Sequence, residues 1–222
     1  MLAEWPILLN LCEGAKAHAQ GKTVTVILQI HRSFHESPKE LEDVIDCQKK
    51  IFEILEAEQH DVLGTEGHDL DPYTITSYAE ACANEGMRDE NGNKFPLDAL
   101  IETLKSRKDD EAALAYTIAH PTGAIIGVED RPLNDLNMSF INQSGVIAHH
   151  LGREWTFRVG DLIRRARSEI ALAKVIEKLH RLKKRRGVIV IGYAHEPEYK
   201  ELAEKYGITV EVKDAVPPTV QK

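Results

Sequence analysis

A chain of 222 residues, 42% apolar and 29% charged, has ordinary globular usage and room for one sizeable core, which excludes a disordered or membrane class. Its formal net charge of −8 argues against general affinity for nucleic acid or acidic membranes. No apolar run approaches the roughly eighteen residues of a spanning helix, and "MLAEWPILLNLCEG" carries Glu4 and Pro6 but no basic leader, so the expectation is a cytoplasmic protein.

Cys12, Cys47 and Cys82 form no C-x-x-C pair and read as reduced, mostly buried thiols. Their equal spacing is not a repeat, because the flanking sequences disagree. A single domain over residues 1–216 is expected, with 217–222 as a frayed tail.

In chain order, "KTVTVILQIH" is apolar and β-branched on both parities, the pattern of a strand buried on both faces, and it ends near His31. "SPKE" then offers Ser37 as N-cap, Pro38 at the first helical position and Glu40 as the reciprocal partner of a capping box. Leu41, Val44, Ile45, Gln48, Ile51, Phe52 and Leu55 give the helix that follows an apolar face broken only by Gln48, which is read as a satisfied core amide. "HDVLGTEG" returns as a short strand ending at Glu66, closing a β-α-β unit.

Between 69 and 120, "TITSYAEACANEG", "LDALIETLKSRK" and "DEAALAYTIAH" read as helices, and "DENGNKFP" as a loop. "GAIIGVED" is a strand ending at Glu129 and Asp130. The stretch from Asn134 to about Trp155 has no clear assignment, and His149 and His150 within it are read as surface loop residues. A long helix follows from "FRVGD", with Gly187 as its expected C′ stop, then strand "VIVIG", helix "PEYKELAEKYG" and strand "ITVEV". Arg164 to Arg186 hold ten basic and two acidic residues. Cations at the end of a helix complement its negative dipole, which accounts for this run better than a nucleic-acid patch does.

Alternating strands and helices call for an α/β fold: an open, largely parallel sheet covered by helices on both faces, with helical insertions. Ligands of such sheets bind beyond the carboxyl ends of the strands. The residues there are His31, Glu66, Glu129 and His195, two imidazoles and two carboxylates. Neutral imidazole and carboxylate suit a divalent transition metal, and three protein ligands with an open position can activate water. The competing reading leaves the histidines bonded to loop backbone and the glutamates as helix caps. His35, four residues after His31, gains no helical meaning from that spacing, because Ser37 and Pro38 start the helix after both.

"LQIH", about thirty residues before "GTEG", and "GYAH" before a helix and "YGITVEV", resemble the superfamily of TraB/PrgY, the TIKI proteases, the haem-uptake protein ChaN and erythromycin esterase. Its signature is a pair of G-x-x-H motifs, a glutamate after the second strand and an arginine on the helix before the second motif. Gly192 to His195 match one motif in full; Glu66 and Arg167 fall where the glutamate and arginine do, and "GVED" resembles a segment in some members. Leu28 stands where the first motif has glycine. The resemblance implies a ChaN/EreA-like fold and a hydrolase of peptide or ester bonds. His31, Glu66 and His195 would hold Mn, Fe, Co or Zn, with Glu129 as base or further ligand and Arg167 orienting a carboxylate ligand or stabilising negative charge. Its other implications are an iron- or haem-binding protein without turnover, with Tyr193 or His150 available to haem, and metal-free ester hydrolysis with His31 as base. A small-molecule or peptide substrate is the expected partner, with no membrane and no nucleic acid.

Overall fold

The computed structural model describes residues 5–30, 37–66, 69–84, 92–93, 95–106 and 111–217. The elements run α1 (Trp5–His18), β1 (Thr23–Gln29), α2 (Pro38–Ala57), β2 (Val62–Thr65), α3 (Ile75–Asn84), α4 (Leu97–Ser106), α5 (Ala112–Ala119), β3 (Ile125–Gly127), α6 (Arg131–Leu151), α7 (Arg153–Arg181), β4 (Arg186–Gly192), α8 (Glu196–Tyr206) and β5 (Thr209–Asp214). A short 3-10 turn, Tyr193–His195, joins β4 to α8.

The five strands form one open, all-parallel sheet in the order β3-β2-β4-β1-β5. β1 and β2 therefore belong to one crossover but are not neighbours: β4 lies between them. The connections β1 to β3 run toward one edge of the sheet and those from β3 to β5 run back. Right-handed crossovers thus place α2–α5 on one face and α6–α8 on the other. α2 packs on α5, while α7 lies against β2 and β4 with α1, α6 and α8 beside it.

Local chemistry explains the elements nearest the site. Ser37 accepts from the Glu40 amide while the Glu40 carboxylate accepts from the Ser37 amide, so the expected capping box forms at α2. Strand β1 is buried on both faces from Val24 to Gln29, as its unbroken apolar pattern requires. Gly64 and Gly187 lie under α7. A Cβ at Gly64 would stand 2.7 Å from a Val175 methyl, and one at Gly187 would stand 2.6 Å from another, so the two glycines let α7 pack close to the sheet.

Three expectations are corrected. Gly187 is not the C′ stop of α7 but lies in β4; the helix ends at Arg181, and Lys183 takes the left-handed conformation at φ 56°. The unassigned stretch from Asn134 is α6, which Gly152 at φ 89° separates from α7, so His149 and His150 stand on a last helical turn rather than in a loop. α6 eluded the sequence reading because only Leu133 on it is buried, so no periodic apolar face declares it. The amino-terminal helix α1, read only as a short apolar stretch, packs along α7.

Cys12, Cys47 and Cys82 form no disulfide, and Cys47 and Cys82 are buried. Gln48 is the satisfied core amide expected. Its Nε2 donates to Gln29 and to the Ile30 carbonyl, and its Oε1 accepts from the Ala112 amide at 2.8 Å, tying the end of β1 to the start of α5. No described helix is long and apolar enough to cross a membrane.

Candidate functional site

The register of the sheet brings the strand ends level. Thr65 pairs with Val190 and Gln29 with Gly192, so the chain leaves β2, β4 and β1 at one edge. Glu66 follows β2 directly, and its amide donates to the Val190 carbonyl at 3.1 Å. Its carboxylate reaches over the end of β4, where Oε2 accepts the Gly192 amide proton at 2.6 Å. The glycine of the "GYAH" motif thus presents its N–H to the acid from the neighbouring strand.

His195 ends the turn after β4 and is only 4% exposed. Its Nδ1 lies 2.7 Å from the hydroxyl of Ser168, a fully buried residue of α7. That hydroxyl has a single proton, which it donates to the Arg164 carbonyl one turn back at 3.0 Å, the usual bond of a helical serine. With its proton so used, Ser168 accepts from His195, which places a proton on Nδ1 and turns Nε2 toward Glu66. Nε2 lies 3.8 Å from Glu66 Oε1, too far for a hydrogen bond.

Arg167 stands one residue before Ser168 and is held between two buried carboxylates. Its Nη2 donates to Glu66 Oε1 at 2.7 Å and to Glu129 Oε1, while Nε faces Glu129 Oε2 at 3.4 Å. Glu129 follows β3 by two residues, and Lys174 donates both to its backbone carbonyl and to Asp69. Burial raises the Glu129 carboxyl above the ordinary range, opposed by the hydrogen bond and charge of Arg167 and assisted by Glu66. The Arg167 guanidinium is held more firmly protonated than usual: burial opposes the charge, but Glu129 and Glu66 outweigh it. Two carboxylates thus share one guanidinium beside the His195 imidazole.

The structure places the sequence-predicted residues as follows. Glu66, Glu129, Arg167 and His195 converge at one edge. His31 and His35 lie outside the described residues. Tyr193 is half exposed beside the site, whereas His149 and His150 are exposed at the far end of α6. Among the described residues no three His, Cys, Asp or Glu side chains form a metal-binding group. The donor pair Glu66 Oε1 and His195 Nε2 nevertheless fits two corners of a divalent site. Ligands each about 2.1 Å from an ion stand about 3–3.5 Å apart, close to the 3.8 Å here. The imidazole is also oriented from behind by Ser168, as metal-binding histidines are.

Ser168 is the residue at this edge that sequence reasoning missed. A serine inside an amphipathic helix carries no signal of its own, but its place next to Arg167 was available: two consecutive helical positions both look toward the strand ends. Tyr199 and Glu198, on the first turn of α8, were likewise unread. Both are buried, and the Tyr199 hydroxyl and Glu198 Oε2 have no hydrogen-bond partner among the described residues. Burial first, then the negative charge of Glu66, Glu198 and Glu129, keeps Tyr199 protonated well beyond its ordinary range.

Much of the basic run pairs with acids, with Arg165, Arg181 and Lys184 more than half exposed. Arg164 pairs with Glu198 at 2.7 Å, Arg165 with Glu201, Lys174 with Asp69, Lys178 and Arg181 with Asp71, and Lys184 with Asp61. These pairs tie α7 to α8 and to the loops after and before β2. No protein-family model, curated protein or solved structure matches the chain.

Proposed function

We propose that the chain is a hydrolase of peptide or ester bonds, working at the carboxyl edge of its sheet with a divalent cation held by Glu66 and His195. The observation that carries this reading is the approach of two metal-ligating atoms, His195 Nε2 and Glu66 Oε1, to 3.8 Å in a buried setting beside Arg167 and Glu129. A divalent ion between them would satisfy both. The resemblance to TraB/PrgY and TIKI proteins supports the same assignment and supplies His31 as the third ligand, with Mn, Fe, Co or Zn as the ion.

A bound divalent cation supplies Lewis acidity, the property that makes water a nucleophile near neutral pH. The protein's own residues do the rest. Ser168 would hold the imidazole proton on Nδ1 and so present Nε2 to the ion. The Gly192 amide and Arg167 hold the Glu66 carboxylate in one orientation. Glu129, with its raised carboxyl pKa, is the proton acceptor, since a base whose pKa lies nearer neutrality also returns its proton readily. Arg167 spans both carboxylates, so it orients them rather than meeting an oxyanion.

One observation favours a second reading, ester hydrolysis without metal: Arg167 already places a positive charge on Glu66 Oε1, the oxygen that faces His195. The two readings part in one experiment. Untagged protein is assayed against nitrophenyl esters and a peptide library, with and without chelator, alongside His195→Ala and Glu66→Gln. The metal reading expects turnover that chelator abolishes and metal restores, and that both variants lose. Turnover indifferent to chelator selects the second reading, and no turnover on either substrate class overturns both.

A further inference from the structure

The opposite edge of the sheet, where the strands begin, holds a second concave feature. Lys22 precedes β1 and Lys183 to Arg185 precede β4, and the pairing of Thr23 with Arg186 brings the two approaches side by side. Together with the last turn of α7 they enclose a cleft of about 450 Å³, within the range of small-molecule sites. Its charged lining is Lys22, Arg181, Lys183, Lys184 and Arg185, with His180 beside them and, among the described residues, no Asp or Glu. A chain of net charge −8 thus gathers five cations around one hollow. A cleft lined by one sign of charge concentrates its field on what enters it.

Helix capping does not account for these side chains. The amides of Leu182, Lys183 and Lys184 donate to the carbonyls of Lys178, His180 and Leu179, so backbone groups already close the end of α7. Lys183 keeps its side chain at φ 56°, a conformation that favours glycine. Arg181 pairs with Asp71 and Lys184 with Asp61, whereas Lys22, Lys183 and Arg185 form no ion pair among the described residues. Lys22 is the most buried of the five cations, at 9% exposure, and its ammonium spends one of three protons on the His18 carbonyl. Burial lowers its pKa, Glu177 opposes that, and the charge of Arg185 adds to it, so these two cations disfavour each other.

Charge selects the occupant. Three cations without acid partners call for an anion of more than one charge, and Arg185 offers the planar fork that matches phosphate. Asp61, Asp71 and Glu177 stand around the cleft, paired with Lys184, Arg181 and His18, so the positive field ends close to its rim. A nucleic-acid strand or an anionic membrane carries its charge past those acids, whereas a compact anion stays within them. We infer that this cleft binds a di- or triphosphate group of a small molecule, gripped by Lys22, Lys183 and Arg185. The cleft lies at the far end of the strands from Glu66 and His195, so the inference stands apart from the reading of that edge.

Calorimetric titration of the full chain with inorganic triphosphate tests this, with citrate as a carboxylate anion for comparison and Lys183→Gly, Arg185→Gln and His195→Ala alongside. The expected results are one triphosphate per chain, citrate weaker by about 10-fold or more, and a similar loss of triphosphate affinity in Lys183→Gly and in Arg185→Gln. His195→Ala is expected to bind as the wild type does. Glycine suits the left-handed turn, so Lys183→Gly should bind more weakly without a lowered thermal midpoint, which separates a lost ammonium from a lost fold. Triphosphate that fails to saturate the wild type at millimolar concentration overturns the inference, as does equal affinity in Lys183→Gly and Arg185→Gln or loss of binding in His195→Ala. So does citrate that binds as tightly as triphosphate, or binding to duplex RNA or phosphatidylserine vesicles that triphosphate does not displace.

Discussion

His195 Nε2 faces Glu66 Oε1 across 3.8 Å, with Ser168 against the other ring nitrogen. The proposed metal site requires a ring protonated on Nδ1 alone. In Ser168→Ala the Nδ1 proton loses its acceptor, and the imidazole distributes its proton between both nitrogens. Nitrogen-15 spectra of His195 are expected to show an Nδ1-protonated ring in the wild type and a mixture in the variant. The fold should lose about 1–2 kcal/mol, the worth of a buried hydrogen bond whose partner is left unsatisfied. A wild-type ring protonated on Nε2 would contradict the hydrogen-bond assignment.

Arg167 joins Glu66 and Glu129, both nearly buried. Arg167→Met leaves two carboxylates facing each other without a counter-charge, and a loss of about 3–5 kcal/mol in urea denaturation is expected. Arg167→Lys keeps the charge but not the fork that reaches both acids, so it should fall between variant and wild type. Equal stability of Arg167→Met and the wild type would show that the trio does not hold the strand ends together.

Two positions test the seating of α7. Gly187→Ala drives a methyl to within 2.6 Å of a Val175 methyl, so a loss of about 1–3 kcal/mol is expected. Lys183→Gly should instead stabilise by roughly 0.5–1 kcal/mol, because a left-handed φ of 56° suits glycine. Thermal melts of the two variants should move in opposite directions.

The sheet was legible because its strands are buried on both faces: "VTVILQ" and "VIVIG" announce themselves without any partner being known. The α2 start was legible because Ser37, Pro38 and Glu40 act within one turn. The order of the strands was not legible, since β4 enters between β1 and β2 through contacts more than a hundred residues apart in sequence. At the site, His195, Glu66, Glu129 and Arg167 were found from strand ends and a short motif. What only the fold reveals is that Arg167 faces acids rather than solvent, and that Ser168 orients the histidine.

His60, between α2 and β2, supplies a pH dependence separate from the site. Burial depresses its pKa, against smaller opposing effects of Glu58, and its Nδ1 lies 3.1 Å from the Glu58 carbonyl. The unfolded chain then binds the proton more readily than the folded one. Stability is full above the unfolded-state pKa and is lost as pH falls through the depressed folded value. Denaturation curves between neutral pH and the acid range should show a slope that His60→Gln reduces; an unchanged slope would assign the effect to other groups.

The central claim is that Glu66 and His195 together hold a divalent ion. Untagged protein is loaded in turn with Mn, Fe, Co and Zn, dialysed free of excess ion, and measured for metal per chain beside Glu66→Gln and His195→Ala. The account predicts close to one ion per chain for the wild type with at least one of these metals, and loss of that ion in each variant. A wild type that retains none of them, or variants that retain as much as the wild type, would contradict it.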